Sequence, residues 1–302
     1  MSLFNNTSLM KTNLDLIAED LLTTKRFSRL DKDYVEGFLL SFLNKEKFRK
    51  ERELIRKLDY RHLIKNATYK RFLKIVKRVI HATYGAFQVK DAEKREKILK
   101  LMKKSMDDSD FRNLHYEMLH THSSSRERKE YYEEVYKQIF TLCDKPKSII
   151  DIGCGMNPFS LVFIGFNDFD YTGLDVIAKD VALINDYFSY FEKKLGIRGK
   201  AIFYDAFKSE YPKGIAADVC FFFKMADIVE YGSKSHKRTE AFVKNVNTKF
   251  VVVSFATKTV SEKAMSNPRR KWFEVMLARL GYTFDYFEIH NECFYVVKKD
   301  CP

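Results

Sequence analysis

The first 115 residues contain no proline and only two glycines, Gly37 and Gly85. These two residue types punctuate most loops and turns, so their scarcity makes the stretch read as helix throughout. Cysteine is equally sparse. The five present (Cys143, Cys154, Cys220, Cys293 and Cys301) form no C-x-x-C pair, which argues against a structural zinc site or a disulfide framework and fits a reducing cytoplasm. No metal site is expected. No run approaches the roughly 18–20 apolar residues needed to span a bilayer. The opening MSLFNNTSLMKTNLDLIAEDLL lacks a basic start followed by an apolar block, so no secretion signal is expected. Internal repeats and low-complexity tracts are absent too.

What is there is a globular composition: 302 residues, 45% hydrophobic and 31% charged. That length suits one large domain or two modest ones. The net charge of +13 is unevenly spread. Residues 1–100 carry 24 basic and 13 acidic side chains, whereas the other 202 carry 30 and 28. A positive field confined to one third of the chain suits a phosphate backbone. A generally basic surface would have spread the excess along the whole chain.

Asn13–Leu22 and Tyr34–Leu43 have the spacing of helices, and Ala67–Ile80 is the clearest. Its Phe72, Ile75, Val76, Val79 and Ile80 recur every three or four residues and share a face. Lys70, Arg71, Lys74, Lys77 and Arg78 occupy the rest, either as a solvated face or as a phosphate-contacting surface; the regional charge favours the second. From Lys147 the pattern changes to short β-rich runs: Ser148–Ile152, Tyr171–Leu174, Ala201–Tyr204, Val219–Phe223, Phe250–Phe255, Thr283–Ile289 and Phe294–Lys298. Helical stretches, including Ala178–Leu195 and Arg270–Leu280, lie between most of them. This alternation implies an α/β fold with a mostly parallel sheet, and the closely spaced last two strands imply an antiparallel hairpin at one edge. Two domains are expected: a basic helical one over 1–115 and an α/β one over 116–302.

Ile149-Ile150-Asp151-Ile152-Gly153-Cys154-Gly155-Met156-Asn157-Pro158 is an apolar strand opening into a Gly-x-Gly turn. Such glycines let backbone approach a ligand closely, although a tight strand-to-helix turn alone has the same need. A dinucleotide fingerprint would want a third glycine where Pro158 stands. Asp175 ends the next strand 22 residues after Gly153, where a carboxylate can accept from both hydroxyls of a ribose. S-adenosylmethionine has that ribose without a pyrophosphate. Asp205, after the third strand, could accept from an adenine amino group or simply start a turn. Upstream, Ser124-x-x-Glu127 reads as a capping box before the periodic Tyr131, Tyr132, Val135, Tyr136, Ile139 and Phe140. Arg126 and Arg128 would then oppose the dipole of a helix beginning there. A bidentate arginine–carboxylate pair with the methionine end of the cofactor would give one of them a reason.

The series HSSSRER, DIGCGMNP, FFFKM, SFATKTVS, WFE and NECFYVV resembles the 16S rRNA guanine-N7 methyltransferases that confer aminoglycoside resistance. The likeness is good from about His122 to Lys298 and fainter over the N-terminal helices, where KRFSRLDKDYVE is also similar. Ser125 stands in place of the usual threonine and Ala256 in place of a proline. The resemblance implies a Rossmann-like S-adenosylmethionine-dependent methyltransferase fold with seven strands and an N-terminal helical domain. It implies that Arg128 grips the cofactor carboxylate beside His122, Ser123 and Ser124. By the same likeness Gly153 contributes backbone, Asp175 binds the ribose, Asp205 and Ala206 lie at the adenine side, and Lys224 and Met225 line the cleft.

The implied acceptor, guanine N7, carries a free lone pair at neutral pH, so no general base and no catalytic side chain is expected, only alignment. A cytosine-C5 mechanism would need a thiolate nucleophile, and Cys220 sits in an apolar strand where packing is its expected role. Lys258, Lys263, Arg269, Arg270 and Lys271 cluster after the fifth strand, as phosphate contacts or as a solvated loop. The expected partner is 16S rRNA within the 30S subunit, bound by a monomer. A methyltransferase acting on another RNA, a protein or a small molecule, or a non-enzymatic RNA-binding protein, is the competing reading.

Overall fold

Proline-free sequence with regularly spaced apolar residues forms α1 (Ser2–Leu22), α2 (Lys32–Leu43), α3 (Arg49–Lys57), α4 (Tyr60–Leu63) and α5 (Ala67–Ile80). Short polar side chains set where these helices begin, by accepting N–H groups that the first turn leaves without partners. Asn66 accepts from the amides of Thr68 and Tyr69 at 2.9 and 3.2 Å, and Asp59 accepts from that of His62. In this computed structural model, residues 2–85, 88, 90–105, 107–206, 214–231, 235–258 and 265–299 are described.

The chain divides into two compact units, Met1–Lys90 and Asp91–Pro302. In the first, Phe38, Phe42, Phe48 and Phe72 form a ring ladder with centroids 5.0 to 5.8 Å apart. Buried Asn13 of α1 donates to the carbonyls of Ile55 and Leu58 at 2.7 and 2.8 Å, closing the end of α3. On α5, Tyr69, Phe72, Val76 and Ile80 are buried. Ile75, which the spacing put on the same face, is 39% exposed; it lies at the margin of the stripe, between Lys74 and Val76.

The second unit begins with α6 (Arg95–Met102), α7 (Asp108–His120), α8 (Ser123–Arg128) and α9 (Tyr132–Leu142). Composition alone drew the domain change near residue 115, because α6 and α7 are as poor in glycine and proline as the helices before them. Their packing groups them with the sheet. Ile98, Leu99, Met102, Phe111, Met118 and Leu119 share one core with Ile149, Tyr171 and Phe221. Arg95, fully buried, donates to Asp180 at 2.7 Å, to the Thr121 hydroxyl at 2.9 Å and to the Thr121 carbonyl at 2.6 Å.

The strands are β1 (Ser148–Ile152), β2 (Phe169–Asp175), β3 (Ile197–Phe203), β4 (Ala216–Phe223), β5 (Asn247–Ala256), β6 (Thr283–Ile289) and β7 (Glu292–Lys298), in the order β3-β2-β1-β4-β5-β7-β6. The first five run parallel; β7 is antiparallel to both β5 and β6. Helices α10 (Ala178–Leu195), α11 (Met225–Val229), α12 (Lys237–Asn245) and α13 (Lys271–Leu280) complete the unit. Successive strand residues point to opposite faces. Thus Ile149 joins the core of α6, α7, α9 and α10, while Ile150 joins that of α11, α12 and α13. Burial on both faces explains the nearly continuous apolar strands. The seven-stranded, mostly parallel architecture is the one anticipated. Because β7 reverses direction, Glu292 pairs with Ala256, so the start of β7 lies at the carboxyl edge of the parallel strands.

Candidate active site

At the carboxyl edge, β1 turns over the end of β2: the amides of Gly153 and Cys154 both donate to the Leu174 carbonyl, at 2.8 and 3.1 Å. Gly153 and Gly155 have φ of +71° and +48°, a region that side chains other than glycine rarely enter. Space demands glycine as well. A Cβ on Gly153 would collide with Met225, and one on Gly155 would lie 3.0 Å from the His122 ring. Met225 and His122 therefore flank the turn, together with Asp175. The Asp175 carboxylate accepts from the amides of Gly155 (2.8 Å) and Ile177 (3.0 Å). Burial, reinforced by neighbouring Asp180, pushes this carboxyl up to about 6. Four lone-pair sites on a carboxylate leave acceptor capacity for two hydroxyls.

Asp205 and Ala206 follow β3, which the Tyr204 amide ties to the Asp175 carbonyl at 2.8 Å; the two acids thus end neighbouring strands, and Asp205 is buried. Asp151, inside β1, is a polar anchor that the sequence reading passed over. It accepts from Asn157 at 2.6 Å and Tyr171 at 2.8 Å, and burial raises it to about 6. Its signal was available: an acid inside IIDI can be buried only with partners.

Arg128 is 3% exposed. Its Nε and Nη2 donate to Glu292 at 3.0 and 2.6 Å, and its Nη1 to the Tyr132 hydroxyl at 3.2 Å. Glu292 also accepts from Ser254 and lies 3.6 Å from the Lys224 ammonium, which pairs with Glu127 at 2.6 Å. Burial works to raise the Glu292 carboxyl, but Arg128 and Lys224 hold it below its usual value. Lys224 itself is left-handed, with φ of 56°. Such strain persists where surrounding contacts impose it, here through amide bonds to both oxygens of Ser254 at 3.0 and 3.1 Å.

Two expectations about this segment are corrected. The N-cap of α8 is His122 and no side chain caps the helix, so the Ser124–Glu127 capping box does not form; the helix has already started at Ser123. Arg126 and Arg128 lie in the last turn of this six-residue helix, so neither opposes a dipole. Burial pushes His122 down to about 3, with Arg95 adding to the effect, and its ring is neutral at physiological pH.

Of the basic residues singled out, Lys70, Arg71, Lys74 and Arg78 are exposed on α5, and Lys77 is half-buried, 4.0 Å from Asp20. In the second unit, Arg269 pairs with Glu274 at 2.7 Å and lies over the Tyr286 ring. Arg270 is turned inward, donating to the carbonyls of Ala256 and Pro268 at 2.9 and 3.0 Å. Lys258 is half-buried and Lys271 exposed; Lys263 lies outside the described residues. Cys220 is packed in β4 with its thiol pushed up by burial. Among the described residues, no three or more His, Cys, Asp or Glu side chains are grouped to hold a metal ion, and no helix is long and apolar enough to cross a membrane.

The arrangement offers a glycine turn, an acid beside it for a diol and a buried arginine for a carboxylate, which fits an adenosyl-amino-acid ligand. Residues 47–296 match the family model described as "Ribosomal RNA methyltransferase (FmrO)". The chain is 25% identical over 233 residues to a 16S rRNA (guanine(1405)-N(7))-methyltransferase of Micromonospora rosea, covering 75% of this chain and 82% of the relative. Its likeness to the corresponding enzyme of Micromonospora echinospora is 24% over 235 residues, with the same two coverages. The fold is similar to that of a crystal structure titled 16S rRNA methyltransferase RmtF in complex with S-adenosyl-L-homocysteine, with a TM-score of 0.70, 19% identity and coverage of 95% and 98%.

Proposed function

Because the chain belongs to the ribosomal RNA methyltransferase family described as FmrO, we propose that it transfers a methyl group from S-adenosylmethionine to guanine N7 in 16S rRNA of the 30S subunit, a modification that gives aminoglycoside resistance. The observation that carries this reading is the family match across residues 47–296, which takes in the Gly153 turn, Asp175, Arg128 and Glu292 together. Both Micromonospora relatives bear the guanine-N7 name.

Bound S-adenosylmethionine supplies an electrophilic methyl on a sulfonium. The chain's task is to hold and align. Arg128 would bind the carboxylate end through the N–H donors that Glu292 and Tyr132 leave: three of its bonds are made within the protein, and a guanidinium has five. Asp175 would take the ribose hydroxyls, and Asp205 with Ala206 the adenine side. Lys224 and Met225 would line the cleft, and His122, Ser123 and Ser124 would lie beside the carboxylate end. Guanine N7 has no proton to lose, so no side chain has to act as a base; positioning carries the rate. The basic face of α5 would contact phosphate, and so would Lys258, Lys263 and Arg269. Arg270 would support their loop from within.

The test is transfer of labelled methyl to intact 30S subunits, with free 16S rRNA and tRNA alongside, followed by mapping of N7-methylguanine. Labelling of 30S at one guanine is expected. Preferential transfer to tRNA or protein would overturn the substrate, and calorimetry showing no cofactor binding would overturn the enzyme reading.

A further inference from the structure

His236 and Trp272 lie face to face at the carboxyl edge, with ring centroids 3.8 Å apart and planes 8° from parallel. The backbone of His236 is left-handed, with φ of 52°, which is uncommon outside glycine. The residue stands at the N-cap of α12, yet its side chain makes no capping bond. That conformation instead places the imidazole on the indole. Trp272, in the first turn of α13, is backed edge-on by Phe255 and Phe273 at 5.9 and 5.5 Å. The indole thus rests on core rings, and both it and His236 are half-buried. Among the described residues, the His236 Nδ1 atom is shielded from solvent and has no hydrogen-bond partner.

The surroundings are basic. Lys237 and Lys271, each next in sequence to a member of the pair, are exposed, and Arg269 is close by in sequence. Carboxylates stand here too: Asp227 is within electrostatic range of His236 and Arg270, Glu230 accepts from the Thr239 amide in the first turn of α12, and Glu274 pairs with Arg269, so the cations left for phosphate are Lys237 and Lys271. A flat aromatic surface flanked by cations is the combination that binds unpaired nucleotides: bases stack on rings while lysines meet phosphates.

We propose that the His236–Trp272 pair, made of residues other than those assigned to the cofactor, is a stacking pad for an unpaired base of the RNA substrate. The proposal rests on the rRNA reading above. It assigns the outer face of His236 to a nucleobase and Lys237 and Lys271 to the adjoining phosphates.

Trp272 is the only tryptophan in the chain, so its fluorescence reports on the pad alone. The full-length protein is titrated with a single-stranded, purine-rich RNA oligonucleotide, and complex formation is followed independently by filter binding. Quenching of Trp272 in step with binding is expected. His236→Ala should weaken oligonucleotide binding and raise KM for 30S subunits by about tenfold, with kcat changed less. His236→Tyr should restore most of the loss, and cofactor affinity should be preserved in both, which reports an intact fold. Complex formation with unmoved Trp272 emission, or wild-type KM in His236→Ala, would overturn the pad and leave the methyltransferase reading standing. Quenching by RNA from a protein that labels no ribosomal RNA would support the pad while removing the substrate assignment.

Discussion

The two edges of one sheet use the same residue types to opposite ends. At the amino edge, Asp168, Asp170, Lys147 and Arg198 form ion pairs of 2.5 to 3.4 Å with every partner more than half exposed. Hydrogen bonds from Arg198 and Lys147 hold Asp168 below the ordinary carboxyl value. At the carboxyl edge, Asp151 and Asp175 are raised by burial, and Arg128, Glu292 and Lys224 make a network with little access to water. Exposed pairs are weak because water screens their attraction and fixing two mobile side chains costs entropy. Buried ones depend on each partner, since removing one strands the other. The residues proposed above to hold the cofactor lie at the edge where charges are buried with their partners.

Arg128→Ala should therefore show the largest effect in the protein. It leaves Glu292 buried without its main counter-charge, at about 3–5 kcal/mol of stability, and should abolish measurable cofactor binding; urea unfolding and calorimetry check the two halves. Retained cofactor affinity would remove the carboxylate assignment. Gly153→Ala comes next. The new Cβ meets Met225 and occupies a strained φ, costing about 1–3 kcal/mol, and cofactor affinity should fall while binding of RNA is kept.

A third prediction separates the edges by pH. Because Asp175 is raised to about 6, its contribution to folding is fully present below the unfolded value near 4 and is lost as pH rises through 6. Compared with Asp175→Asn, the cofactor-free wild type should lose up to about 3 kcal/mol between pH 4 and 7, read from urea melts. Asp168, depressed by its partners, behaves the other way: its contribution is present above the ordinary carboxyl value and is lost as pH falls below it. The smallest effect is expected for Arg198→Ala, which should leave both methyl transfer and the unfolding midpoint close to wild type.

How much of this was legible depended on range. The β1 and β6 strands and the helices α5 and α10 have the boundaries that periodicity alone suggests, since each is a strongly patterned local segment. The β3 strand begins four residues earlier than its apolar run, because Arg198, Gly199 and Lys200 are recruited by pairing with Asp170, Tyr171 and Thr172. The Gly153 turn and Asp175 could be read from spacing. The inward course of Arg270 could not, as three consecutive basic residues resemble a solvated loop until the Ala256 and Pro268 carbonyls are seen beside them. Nor did the capping-box pattern reveal that α8 is already under way at Ser123.

The bond between Arg128 and Glu292 spans 164 residues. During synthesis Arg128 emerges first and waits for nearly the whole sheet before its partner exists. The Arg128–Glu292 pair, proposed above to hold the cofactor carboxylate, is accordingly complete only once the β6–β7 hairpin has docked on β5. Contacts so far apart in sequence form late and slowly. A nascent or C-terminally nicked chain could hold most of its secondary structure and still leave Arg128 without the carboxylate it is buried against.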